Sequence, residues 1–242
     1  KNQQEKLVIN ERHEAWGSLA RKLAHEIKNP LTPIQLTIDR LKNKYSDQMS
    51  DHDQKNFKEN LKIINNQIKQ IENLVNEFSD FARMPKPILK NNDLIKILNE
   101  NIKLLSQVDK SIKLTLIKNS DEIILKCDRE QIARVFFNLI KNSIESIQQK
   151  TEKNPDFKKK ISIEISENNH HIKFILIDNG IGFKDNNNIK EILNPYFTTK
   201  KNGTGLGLAI VNKIINDHNG ELEFFPIANG AKIEIDFKLN VS

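Results

Sequence analysis

Cysteine is almost absent: Cys127 stands alone among 242 residues. A single thiol excludes an intrachain disulfide and a cysteine cluster for zinc, and it points to a reducing compartment, the cytoplasm. Aromatic residues are few, at 6%, and those present sit mostly within apolar patterns. No window reaches the roughly 18 apolar residues of a membrane span, and no signal peptide opens the chain. This stretch is therefore expected to make no membrane contact. It begins with Lys1 rather than Met, so sensing or membrane-anchoring parts are expected upstream of it. The Gly-Lys-Ser/Thr of a P-loop is missing as well.

Apolar residues make up 37%, enough for a modest core in one or two domains. The net charge is +6, and such an excess can mark a nucleic-acid or anionic-lipid surface. Here the basic residues are spread along the whole chain and no reading motif accompanies them. A solvated surface is the better account, and no nucleic-acid partner is expected.

Ala20, Ala24, Ile27, Leu31, Ile34, Ile38 and Leu41 step by alternating fours and threes, a heptad seam with a period of about 3.5 residues. A polar stretch from Asp47 to Asp53 predicts a loop. The stepping restarts at Phe57, Leu61, Ile64, Ile68, Ile71, Val75, Phe78 and Ala82. Two matched seams joined by a short loop predict an antiparallel helical hairpin, and a hairpin with one apolar stripe predicts a homodimer closing a four-helix bundle.

His25-Glu26-Ile27-Lys28-Asn29-Pro30 lies in the first seam. A lone histidine on a helix is most often a surface or core residue. This one follows seam residue Ala24, which puts it at the seam's border, and Asn29 is one turn on along the same side. Pro30 and Pro33 predict a bent rather than broken helix, because the heptad continues through them. Pro85-Lys86-Pro87 stops the second helix. The expected organisation is a hairpin over 1–84, a linker over 85–89 and a second domain over 90–242.

The second domain reads as an α/β sandwich. Strands are expected at Ile112, Leu114 and Leu116; at Ile161, Ile163 and Ile165; at Ile172, Phe174 and Leu176; from Leu222 and Phe224; and at Ile233, Ile235, Phe237 and Leu239, with Asn229-Gly230 as a hairpin turn. Helices are expected near Asp93–Gln107, Asp128–Gln149 and Leu206–Asp217, the middle one opened by the capping-box pair Asp128 and Gln131. One mixed sheet with helices on a single face fits this order, and a doubly wound parallel sheet would need stricter alternation.

Four features here carry chemistry. Asn138 and Asn142, one helical turn apart, can offer amide oxygens to a hard cation such as Mg2+. Asp178 ends a strand and leads into Gly180 and Gly182; a carboxylate there suits the amino group of a flat ligand. The loop Asn194-Pro195-Tyr196-Phe197-Thr198-Thr199-Lys200-Lys201 combines aromatics with two cations. Gly203-Thr204-Gly205-Leu206-Gly207 precedes a helix, where glycine amides make an anion site. Each feature alone is weak, but their order is hard to produce by chance.

With these motifs in place, the chain resembles a two-component sensor histidine kinase, in which a dimerisation-and-phosphotransfer hairpin precedes an ATP-binding domain of the gyrase/Hsp90/MutL type. His25 to Pro30 resembles the H box, Asn138 to Asn142 the N box, and Asp178 to Gly182 the first glycine box. Pro195 to Lys200 is similar to the F box and Gly203 to Gly207 to the second glycine box. The segments Ala24 to Leu36 and Glu77 to Pro85 are similar to the nitrogen-regulation members of that family.

The resemblance implies ATP and Mg2+ as cofactors, a response-regulator receiver domain as partner, and a full-length protein at the inner membrane. It implies that His25 accepts a phosphoryl group, Glu26 takes a proton from the ring, and Asn29 positions a water for dephosphorylating the regulator. Asn142, assisted by Asn138, would bind Mg2+; Asp178 would meet adenine; Phe197, Lys200 and Gly203, Thr204, Gly205, Leu206 and Gly207 would form a lid. Glu145 departs from the pattern, since many members carry a basic residue there, and Lys141 or the lid lysines would take over its phosphate contacts. A dimeric scaffold that binds nucleotide without turning it over is the non-catalytic alternative. A basic nucleic-acid-binding protein is the third reading, one that salt-dependent retention on DNA would test. Cys127, His13, His52, His170, His171 and His218 lie in no motif and are read as structural or solvated.

Overall fold

The computed structural model describes residues 2–45, 50–82, 84–154, 156–168, 170–183, 191–198, 200 and 203–239, without the side chains of 2–19, 21, 51 and 153. The chain divides into two compact units, residues 1–85 with Thr199–Leu206, and Lys86–Thr198 with Gly207–Ser242.

The hairpin consists of α1 (Asn2–Tyr45) and α2 (Asp51–Ala82). The helix α2 begins inside the stretch expected to be loop. Ser50 explains the early start: its hydroxyl accepts the Asp53 N–H at 3.3 Å and donates to the Asp53 carboxylate at 2.6 Å, so the first turn is capped from a serine. Residues 46–49 lie outside the described part. Leu31 and Ile38 of α1 pack with Leu61 and Ile68 of α2, and Phe57 closes one end.

The seam divides into two columns. Ala24, Leu31 and Ile38, with Leu61, Ile68 and Val75, are buried, whereas Ile27, Ile34, Leu41, Ile64 and Ile71 are exposed, Ile34 by 46%. Burial between two helices consumes one column and leaves the other at the surface.

In the sandwich, β1 (Lys90–Asp93), α3 (Leu94–Leu105), β2 (Lys113–Lys118), β3 (Ile124–Cys127), α4 (Arg129–Lys153), β4 (Lys160–Glu167) and β5 (His171–Asp178) follow in order; a 3-10 turn (Glu191–Leu193), α5 (Gly207–Asp217), β6 (Gly220–Ile227) and β7 (Gly230–Lys238) complete it. Five strands form one mixed sheet in the order β2-β4-β5-β7-β6. The β2–β4 pair is parallel and the other three pairs are antiparallel. Ile163, Phe174, Leu176 and Ile235 face the helices and are fully buried, as are Phe136 and Leu139 of α4. Phe136 and Phe174 bring their rings to 5.0 Å across the helix–sheet interface.

The opposite sheet face is mixed: Lys173 and Lys232 both pair with Glu234 and His171 with Asp236, beside Ile175 and Ile177. The sheet's edges carry deterrents to further pairing: Lys113 and Lys118 on β2, and Pro226, which has no N–H, on β6.

Small corrections follow from local chemistry. Ile112 precedes β2 because its N–H turns back to the Asp109 carbonyl at 3.2 Å. The turn between β6 and β7 is Ala228-Asn229, with Gly230 already paired to Ile227. Helix α4 runs on to Lys153, and α5 starts at Gly207 rather than Leu206.

The two-stranded β1–β3 sheet was not foreseen. It brings Lys90 opposite Cys127 and Asp93 opposite Ile124, so its strands end at the N-caps of two helices. Asp93 caps α3 by accepting the Ile95 N–H at 2.9 Å, and Asp128 caps α4 by accepting those of Glu130 and Gln131 at 3.0 and 3.1 Å. The second Asp128 oxygen accepts the Ile88 N–H at 2.9 Å, tying down the chain just ahead of β1. These N–H donors hold the Asp128 carboxyl below the usual carboxylate range, outweighing the burial that pushes it up. Asp128's own N–H meets Nε2 of His218 at 3.0 Å, while Nδ1 of that ring lies 2.8 Å from the Ile214 carbonyl. The ring accepts at Nε2 and donates at Nδ1, the tautomer those partners require. Cys127 is completely buried, and burial pushes its thiol up to about 11; it is structural.

Candidate functional site

His25, Glu26 and Asn29 are exposed on α1 and flank the buried column residue Ala24. Pro30 and Pro33 lie inside the helix. A proline has no N–H to give the carbonyl four residues back, so Glu26 and Asn29 lose their intrahelical partners. The residues with the expected chemistry thus sit where the helix ladder is interrupted.

In the sandwich, α4 is the organising element. Val135, Leu139 and Ile147 face the core and are fully buried; Asn138 and Asn142 are half-buried on an adjoining side. Lys141 pairs loosely with Glu145 at 3.9 Å, so Glu145 occupies the lysine expected to stand in for the missing basic residue.

Asp178 closes β5 and is 3% exposed. Its Oδ1 accepts the Gly180 N–H at 2.9 Å and its Oδ2 the Ser143 hydroxyl at 3.0 Å. Burial is the largest influence on this carboxyl and pushes it up from the usual aspartate value, opposed by those donors, by the Ala231 N–H and by the Lys150 charge. Each oxygen retains lone-pair capacity for a further donor.

The loop after Asp178 lies tight against its neighbours. A Cβ on Gly180 would meet the Ser146 hydroxyl at 2.2 Å and the α4 backbone at 2.7 Å. Gly182, at φ +68°, would meet the Gly230 carbonyl at 2.5 Å. Glycine is required at both by close approach, and at Gly182 also by conformation.

Gly207 stands against α4, since a Cβ there would lie 3.8 Å from the Asn138 amide oxygen. Asn138, Asn142, Asp178, Gly180, Gly182 and Gly207 therefore belong to one constellation. Gly203, Thr204, Gly205 and Leu206 group with the hairpin residues, where the Thr204 hydroxyl donates to the Glu77 carboxylate. Phe197 is exposed, with its N–H on the Asn194 carbonyl at 3.2 Å, and the Lys200 carbonyl accepts the Gly203 N–H at 3.2 Å. Thr199 and Lys201 lie outside the described residues. Among the described residues no group of three or more His, Cys, Asp or Glu side chains could hold a metal ion.

Ser143, Ser146 and Lys150 were missed in the sequence. Their spacing of three and four along α4, starting one residue after Asn142, was the available signal.

Residues 127–241 match the family "Histidine kinase-, DNA gyrase B-, and HSP90-like ATPase", and residues 15–87 match the "His Kinase A (phospho-acceptor) domain". An NtrY-like sensor histidine kinase of Rickettsia bellii is 38% identical over 241 residues, 98% of this chain and 38% of the relative. The nitrogen regulation protein NtrY of Azorhizobium caulinodans is 36% identical over 236 residues, covering 96% of this chain and 30% of that protein. The chain thus spans well under half the length of these relatives. Among solved structures, the histidine kinase ThkA in complex with the response regulator protein TrrA aligns over 98% of this chain and 66% of its own at TM-score 0.67 and 22% identity. Full-length ShkA in complex with AMPPNP aligns over 91% of this chain and 45% of its own at TM-score 0.69 and 18% identity. These structural likenesses concern the fold. With a phosphoacceptor hairpin, an ATPase-type sandwich and sequence relatives matched along almost its whole length, the chain belongs to the sensor histidine kinase family.

Proposed function

We propose that this chain is the catalytic core of a sensor histidine kinase that takes the γ-phosphoryl group of ATP onto His25 and passes it to an aspartate of a response regulator. The observation that carries the reading is Asp178: a buried carboxylate at a strand end, held by the Gly180 and Ala231 amides and the Ser143 hydroxyl, with lone-pair capacity left for the amino group of adenine. A second domain displays His25 at an exposed, ladder-free turn, as a nucleophile needs.

In this reading a neutral His25 ring nitrogen attacks the γ-phosphorus, the bond to the β,γ-bridging oxygen breaks, and ADP leaves. Glu26 accepts the proton from the other ring nitrogen, which makes the imidazole the better nucleophile. Asn142, with Asn138 beside it, would hold Mg2+ through amide oxygens; that ion, when bound, neutralises the triphosphate. Phe197, Lys200, Gly203, Thr204, Gly205, Leu206 and Gly207 act as the lid over the phosphates. Asn29 positions water on the regulator's phosphoaspartate for the opposing reaction. The working parts are the hairpin over 1–84, the linker over 85–89 and the ATP-binding domain over 90–242.

The exposed column Ile27, Ile34, Leu41, Ile64 and Ile71 supports a homodimer in which a second hairpin covers it. The NtrY names of the relatives support a place in nitrogen regulation; a longer protein at the inner membrane completes this reading. Among the described residues no helix is long and apolar enough to cross a membrane.

Incubation with γ-labelled ATP and Mg2+ tests the proposal. Wild type should acquire an acid-labile, alkali-stable label and His25→Gln none. Label that survives the substitution, or never forms despite ATP binding, would sink the reading.

A further inference from the structure

The helix α4 holds the loop that follows Asp178 through one polar stripe. Ser143, Ser146 and Lys150 are three and four residues apart and so share a side of the helix. The Ser143 hydroxyl donates to Asp178 Oδ2 at 3.0 Å; the Ser146 hydroxyl accepts the Ile181 N–H at 3.0 Å. The Lys150 ammonium donates to the Asn179 and Gly180 carbonyls at 2.8 and 3.1 Å. Ser143 is 2% exposed, so its hydroxyl has no bulk water to turn to. Facing a carboxylate, it must donate.

The chemistry of that contact concerns the state of Asp178. An ionised carboxylate can only accept, whereas a protonated one also donates. A purine with a 6-amino group needs an acceptor; a purine with a 6-oxo group needs a donor. Burial favours the protonated form, and the groups that oppose it are the Gly180 and Ala231 N–H donors, the Lys150 charge and Ser143. Of these only Ser143 is a side chain in direct contact with the carboxylate.

We propose that Ser143 is a positioning residue for nucleobase choice, holding the Asp178 carboxylate ionised and oriented so that the site selects 6-amino over 6-oxo purine nucleotides. The inference rests on the reading that Asp178 meets the adenine amino group. Lys150 is the charged group that faces Asp178 from α4. Its neighbour from β7 is the Ala231 amide, and from its own loop the Gly180 amide.

The test is calorimetric binding of ATP and of inosine triphosphate to the full chain with Mg2+, from neutral pH downward, for wild type, Ser143→Ala, Ser143→Cys and Asp178→Asn. Wild type should prefer ATP and lose that preference as pH falls. Ser143→Ala should cut the preference about fivefold, the usual cost of removing one hydrogen bond to a buried group, and move the pH of its loss upward. Turnover at saturating ATP should stay unchanged, so the effect appears in KM and not in kcat. Ser143→Cys, a weak donor of similar size, should fall between the two, and it decides the matter should the alanine variant not fold. Asp178→Asn should erase the preference altogether. If Asp178→Asn retains it, the adenine reading itself fails. If Asp178→Asn erases it while Ser143→Ala or Ser143→Cys keeps the wild-type ratio and pH midpoint, the role given to Ser143 is overturned.

Discussion

The hairpin and the sandwich solve the same problem differently. The sandwich buries Ile163, Phe174, Leu176, Phe136 and Leu139 completely within one unit, because a sheet face and three helices close on each other. The hairpin buries Leu31, Ile38, Leu61 and Ile68 but leaves Ile27, Ile34, Ile64 and Ile71 each more than 40% exposed. Two helices have too little surface to cover a full heptad seam. The sandwich closes its core within one unit; the hairpin leaves one column of its seam bare.

The contrast can be broken at several points, in falling order of expected effect. Replacing an exposed seam residue, Ile71→Asp, should cost roughly 3–6 kcal/mol of dimer stability, one buried isoleucine from each subunit, and leave nucleotide binding intact. Sedimentation of the variant would show monomers; a dimer as tight as wild type would mean the exposed column is not the interface. Phe136→Ala should instead act on the sandwich, at about 3–5 kcal/mol for a large core aromatic, read in its melting transition while the dimer persists.

Gly230→Ala is a smaller but sharper probe. At φ +125°, with a Cβ 1.8 Å from the Asp178 carbonyl oxygen, the strand end must shift. A backbone strain of about 1–3 kcal/mol should appear as lost stability together with weaker ATP binding. Asp128→Ala is the mildest, at about 1 kcal/mol for a helix cap. Its folded carboxyl sits below the usual aspartate value of 3.8. The cap's contribution is therefore present above that value and lost as pH falls through the folded one. The gap between wild type and variant in chemical denaturation should be full at neutral pH and close in acid.

What could be read from the sequence follows the same division. A 3.5-residue period announces a seam, and it announced both helices here. Both columns share that period, so it could not say which one the hairpin buries and which it leaves bare. In the sandwich, the alternation of Ile161, Ile163 and Ile165 and of Ile172, Phe174 and Leu176 marked strands that the sheet contains. The β1–β3 pair escaped because four-residue strands reading Lys-Asn-Asn-Asp and Ile-Leu-Lys-Cys are too short to show a period, and the first has no apolar residue. Asp178 and its glycines were visible because glycine and carboxylate are unusual at a strand end. Ser143, Ser146 and Lys150 were not, since hydroxyls and lysines on a helix ordinarily face water, and only the close approach of Gly180 turns that side of α4 inward.

Pro226 and the lysines of β2 have a consequence for a protein whose hairpin leaves an apolar column bare. A sheet left open at its ends invites strands from other molecules, and in a crowded cell such growth ends in aggregates rather than signalling partners. With Pro226 at one margin and Lys113 and Lys118 at the other, the ATP-binding half discourages that route. In the proposed homodimer, self-recognition is left to the helices, where it stops at a defined stoichiometry.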